Sequence, residues 1–269
     1  WAFWNDRHKR ESLCTCGKHI RECPFWVPVA ERLAETGHDL ETFHTRVRDK
    51  GDENRVQVPS FWAVVRGRSA EEQRQAARNS VVLAECVGRA HGVRWVVDSS
   101  KCAERLLAFR SLEAGGMETR VIYLLRNGVA NAYSKAKRGP VPLWRATLSW
   151  MHVALRNASV FLRIPPQDGV FLTYERLCRQ PDETIRRLRD WLGEPNVRKR
   201  SATAFHNLGG SPNRHGAQPT RVVCDTRYRS DLSWWRKAAV RLLTAPVEWG
   251  VRLACNAIPR CRAAQMNRR

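Results

Sequence analysis

Two apolar runs constrain the fold more than anything else in the chain: Val121-Ile-Tyr-Leu-Leu125 and Val170-Phe-Leu-Thr173. Neither alternates apolar with polar residues, so neither suits a strand with one wet face. Strands buried on both faces read this way, and they belong to parallel sheets covered by helices. The flanking residues agree. Asn127-Gly128 turns the chain into a helical pattern over 129–137, and Tyr174-Glu175 leads to a second over Pro181–Leu192. That second helix has Asp182 and Glu183 in its first turn, and Gly193 stops it. Trp95-Val-Val97, closed by Asp98-Ser-Ser-Lys101 and followed by a helical pattern from Cys102 to Leu112, reads as a third strand. Further helical patterns run from Val27 to about Lys50 with a break near Gly37, and from the capping-box residues Ser69-Ala-Glu-Glu72 to Gly92. Another covers Leu143 to Leu162 and ends at Pro165-Pro166.

Strand alternating with helix predicts an α/β fold of three layers, a central parallel sheet with helices on both faces. No repeat or linker divides the 269 residues, so a single domain is expected. It ends in a basic, Trp-rich helical tail over about 233–269, whose apolar face is expected to pack on the sheet. No apolar run approaches the roughly 20 residues needed to cross a bilayer.

In an open parallel sheet the ligand lies at the carboxyl ends of the strands, where loops meet helix N-termini. The residues to weigh are therefore Asp98-Ser99-Ser100-Lys101, Arg126-Asn127-Gly128 and Tyr174-Glu175. Arg126 leaves a strand beside a helix N-terminus, where backbone amides already favour an anion. Ser134, eight residues on, can offer its hydroxyl to the same group. The Glu175 carboxylate is expected to pair with a nearby Arg, and Asp98-Ser99 can equally cap the following helix. His206 and His215 are possible bases in a loop.

Net charge is +21, with 47 Lys and Arg of which eight are Lys. An arginine-rich surface of this kind points to phosphate- or sulfate-bearing partners, since the guanidinium fork binds them bidentately. Most of the excess reads as a solvated surface. Nucleic-acid or polyanion binding without catalysis remains the alternative, although the chain has no zinc-finger, basic-zipper or RNA-recognition pattern.

Of the nine cysteines only Cys14, Cys16 and Cys23 cluster, in CTCGKHIRECPFW. A zinc site completed by His8 or His19 is one reading. The spacing lacks the usual paired Cys-x-x-Cys, so the expectation is a compact loop closed by Gly17 and Pro24, anchored by Phe25 and Trp26, with no metal.

The segment VIYLLRNGVANAYSKAKRG, Val121 to Gly139, resembles the 3′-phosphate-binding element of sulfotransferases that use 3′-phosphoadenosine 5′-phosphosulfate (PAPS). There a strand ends in Arg and a Ser eight positions later shares the 3′-phosphate. CTCGKHIRECPFW, VVDSSK, FLTYERLCRQPDETIRRLRDWLG and HNLGGSPNRHG, in that order, are similar to segments of bacterial-type sulfotransferases, over most of residues 10 to 235. The resemblance implies PAPS as sulfate donor, no metal, and a P-loop-NTPase-like fold in the cytoplasm. The acceptor would be a small molecule or a glycan, with no specific nucleic acid. Arg126, Ser134 and Arg214, with Asn213 assisting, would hold the 3′-phosphate. Lys101 with Ser99 or Ser100 would meet the sulfate or 5′-phosphate, and Asp98 would take the acceptor's proton or orient it. One element of that family is missing from the sequence: the first strand with its Gly/Ser/Thr-rich phosphosulfate loop. The first residue is Trp1, no secretory signal follows it, and the expectation is a truncated, inactive form.

Overall fold

The computed structural model describes residues 14–38, 43, 64, 66, 71–99, 103–110, 112, 118–195, 206 and 222–257. They fall into two compact units, the first drawn from 1–49, 69–117 and 198–220 and the second from 50–68, 118–197 and 221–269.

The first unit is helical. Helix α1 (Trp26–Glu35) buries Trp26, Val29 and Leu33, a spacing that puts all three on one stripe. It stops where Gly37 adopts φ +77° and the amides of Gly37 and His38 return to the carbonyls of Ala34 and Leu33. Helix α2 (Glu71–His91) turns Leu83, Cys86 and Val87 onto the α1 stripe. Helix α3 (Ala103–Arg110) packs on α2. Between α2 and α3 the predicted third strand does not form among the described residues. Residues 93–99 are irregular, and Val97 is 87% exposed. A short apolar run becomes a strand only if a neighbour supplies the ladder, and no described strand pairs with this one.

The second unit holds the sheet. Strands β1 (Val121–Leu125) and β2 (Gly169–Thr173) pair in parallel, with Tyr123 opposite Phe171. Helices α4 (Gly128–Arg138) and α5 (Leu143–Phe161) connect them as the crossover, packed on each other. After β2 come α6 (Tyr174–Arg179) and α7 (Pro181–Trp191), then α8 (Tyr228–Asp231) and α9 (Trp234–Ala257). On one face of the sheet Tyr123 and Phe171 pack around Phe161 of α5, and Tyr123 donates its hydroxyl to the Ala154 carbonyl. On the other face Val170 and Leu172 lie under Leu188 and Trp191 of α7. The layered arrangement therefore holds for β2, within a sheet of two described strands rather than a broad central one. Ile122 and Leu124 of β1, on that second face, are nearly half exposed.

The C-terminal helix packs on helices and not primarily on the sheet. Helix α9 lies along α5 and α4, burying Val240, Thr244, Val251 and Cys255. The approach to α4 is close because Gly128 offers no side chain there: a Cβ would stand 2.5 Å from the Thr244 Cβ and 2.7 Å from its Oγ1 and Cγ2. Alanine ordinarily gains up to about 1 kcal/mol over glycine inside a helix. Here overpacking against a buried threonine outweighs that gain, and Gly128→Ala is expected to destabilise the chain by about 1–3 kcal/mol, read as a lower urea midpoint with unchanged slope. No helix among the described residues is long and apolar enough to cross a membrane.

Candidate functional site

Arg126 follows the last residue of β1. Its guanidinium lies over the Tyr174 ring, 4.8 Å from the centroid, and donates from Nη2 to the Asp225 carbonyl and to Oδ2, both at 3.3 Å. Charged partners in a strong pair sit closer, about 2.7–2.9 Å apart. The Nε of Arg126 is buried with no partner. Asp225 is held more firmly by Arg227, at 2.8 and 3.1 Å. That guanidinium, with Arg126 assisting, keeps the Asp225 carboxyl far below the usual carboxylate range.

The start of α4 is the second half of the site. Asn127 is its N-cap, and its side-chain oxygen accepts from the Ala130 amide. The amides that point out of the helix are met by carboxylates. Asn127 N donates to Glu175 Oε1 at 2.9 Å, and Gly128 N donates to Glu248 Oε2 at 3.3 Å. Asn127 Nδ2 reaches the same Glu248 oxygen, whose other oxygen accepts from Arg252 at 2.6 Å. Glu175 thus caps a helix instead of pairing with an Arg, and its Oε2 is buried without a partner. Asp225, Glu175 and Glu248 together stand where the sequence places an anion. Sequence reasoning gave Glu175 a different partner and found neither Asp225 nor Glu248. Acidic residues in a strongly basic chain were the available signal.

Ser134 lies on α4 two turns beyond Asn127, partly buried, on the same side of the helix by its spacing of seven. Its carbonyl accepts from Arg138 Nε. Beside this end of the sheet, a cleft of about 420 Å³ runs past Phe171 and Thr173, with Arg176, Arg179 and Arg252 in its wall. Burial, then the charge of Arg187, holds the Arg176 guanidinium below its ordinary value. These three arginines went unnoticed in the sequence.

The remaining predicted residues belong to the first unit. Asp98 Oδ2 accepts from Arg105 Nε at 2.6 Å, and the buried Arg105 also holds Ser80 Oγ. Ser99 directly follows in irregular chain. Ser100, Lys101, Asn213, Arg214, His8 and His215 lie outside the described residues.

The cysteine loop gains a partner that its spacing could not name. Cys14, Cys16, Cys23 and His206 bring their three sulfurs and one ring nitrogen within 4.8 Å of one another. His19 is otherwise engaged: its Nδ1 accepts from the Arg21 amide at the head of a short 3-10 turn. Burial pushes the Cys14 thiol up to about 12, and burial next to His91 moves His206 below the usual histidine range.

Compared with known proteins, the chain matches no family model, no curated protein and no solved structure.

Proposed function

We propose that the chain is a PAPS-dependent sulfotransferase domain, with the nucleotide's 3′-phosphate bound at the end of β1. The observation that carries this reading is Arg126, a largely buried guanidinium between a parallel strand and a helix N-terminus, whose contact with the Asp225 carboxylate is long at 3.3 Å and whose Nε is unpaired. A phosphate there would gain the whole fork and displace Asp225, which keeps Arg227 as its partner. The ordered sequence resemblance to bacterial-type sulfotransferases points the same way.

In the reaction an acceptor oxygen or nitrogen attacks sulfur in line. The bond from sulfur to the bridging oxygen breaks, and the electron pair leaves on the 5′-phosphate. The acceptor's proton passes to a base. Positioning and charge stabilisation carry most of such a transfer. Only the sequence resemblance gives Lys101 to the leaving group and Asp98 to the acceptor. The phosphosulfate loop that would hold the reactive group is not in this sequence, so the 269 residues alone are expected to bind nucleotide without turning it over.

Titration with adenosine 3′,5′-bisphosphate tests the reading through the internal competitor. Asp225→Asn removes a charge that Arg126 must otherwise give up, a difference of roughly 0.5–1.5 kcal/mol, so binding should tighten about two- to tenfold. Binding weakened by that change, in a variant of unchanged thermal stability, would contradict the proposal.

A further inference from the structure

We infer that Cys14, Cys16, Cys23 and His206 form a closed, tetrahedral zinc site that fastens the cysteine loop of the first unit to the segment bearing His206. The assignment is independent of the sulfotransferase reading.

Three of the six ligand separations lie within about 0.4 Å of what a zinc ion requires, and all six fall within 4.8 Å. With Zn–S near 2.3 Å and Zn–N near 2.0–2.1 Å, tetrahedral coordination puts sulfurs about 3.8 Å apart and sulfur about 3.6 Å from nitrogen. Cys16 and Cys23 have their sulfurs 3.7 Å apart, and Cys14 Sγ and Cys23 Sγ lie 3.6 and 3.2 Å from His206 Nδ1. Three thiols and one imidazole, with no carboxylate among them, form a soft set that suits zinc and not magnesium or calcium. All three cysteines are free, and Cys14 and Cys23 are fully buried.

Each ligand is placed by its own local structure. Gly17, at φ +84°, turns the chain so that its amide returns to the Cys14 carbonyl, while the Cys14 amide reaches Lys18. This tight turn sets Cys14 and Cys16 toward one centre. Cys23 closes the 3-10 turn Ile20–Glu22, and its carbonyl accepts the first amides of α1. His206 arrives from 183 residues away. It stacks on Phe25 at 5.3 Å and 8°, and the Trp26 indole donates to its carbonyl at 3.2 Å. Apolar packing alone would not aim four ligand atoms at one point: Cys86, in the same core, does not join them. Four protein ligands leave no open position, so the site holds structure and does not perform chemistry.

The test uses the whole 269-residue chain, purified with added zinc and desalted. Elemental analysis should find one zinc per chain, and Co²⁺ in its place should give the intense visible bands of tetrahedral thiolate coordination. Chelator competition should show at least tenfold weaker binding for Cys23→Ser and for His206→Ala. Should these variants fold poorly, thiol labelling of the unaltered chain decides: three cysteines protected while metal is present should become reactive once it is removed. A zinc-free chain with reduced thiols would overturn the site, as would a Cys16–Cys23 disulfide. An unchanged cobalt spectrum and affinity in His206→Ala would overturn the ligand set.

Discussion

Arg126→Ala is expected to weaken binding of adenosine 3′,5′-bisphosphate by at least about tenfold, since a charge-assisted contact contributes roughly 1.5–3 kcal/mol. The loss should exceed that of a surface arginine because the guanidinium is largely buried, with only a fifth of its side chain exposed. Alanine also removes a cation from the Tyr174 face and one partner from Asp225. Folding should survive, because Arg227 still holds Asp225 and the amides of Asn127 and Gly128 keep their carboxylate caps. Arg126→Lys separates charge from shape: a lysine keeps the charge without the planar fork, so it should recover only part of the affinity. Isothermal calorimetry on the three proteins, alongside their urea midpoints, distinguishes a lost contact from a lost fold.

Removing the metal should produce the second large effect, on stability. A ligand that binds only the folded state at one hundred times its Kd stabilises by roughly 2.7 kcal/mol. Structural zinc generally binds tightly enough to exceed that ratio. A chelator should therefore lower the thermal midpoint clearly, with the fluorescence of Trp26 following because its indole is tied to the His206 carbonyl. Cys23→Ser should unfold at that lower midpoint with or without chelator. An identical midpoint for the native chain before and after chelation would argue against a structural metal.

Much of the fold was legible in the residues. The run Val121–Leu125 is β1 as read and β2 begins one residue earlier than its apolar run; of the helices between them, α4 ends at Arg138, next to Gly139, and α5 ends at Phe161, four residues before Pro165. These are local signals: an unbroken apolar run between turn residues, a cap, a stop. The run Trp95–Val97 carried the same signal and failed, because a strand also needs a neighbour and its own sequence does not name one. The site was legible only in its cation. Arg126 and the start of α4 stand together as expected, but the three carboxylates come from 48, 99 and 120 residues further on, beyond any spacing rule. His206 was missed as a ligand for the same reason. A cluster of three cysteines announces itself, whereas its fourth partner is chosen by the fold.

The central claim is one nucleotide at one guanidinium, against a diffuse attraction of polyanions to a chain of net charge +21. Titrating the unaltered protein with adenosine 3′,5′-bisphosphate and with a single-stranded oligonucleotide, from low to physiological salt, separates them directly. The account predicts saturable 1:1 binding of the nucleotide that persists at physiological salt and falls in Arg126→Ala. Binding only to the longer polyanion, collapsing as salt rises and indifferent to position 126, would contradict it.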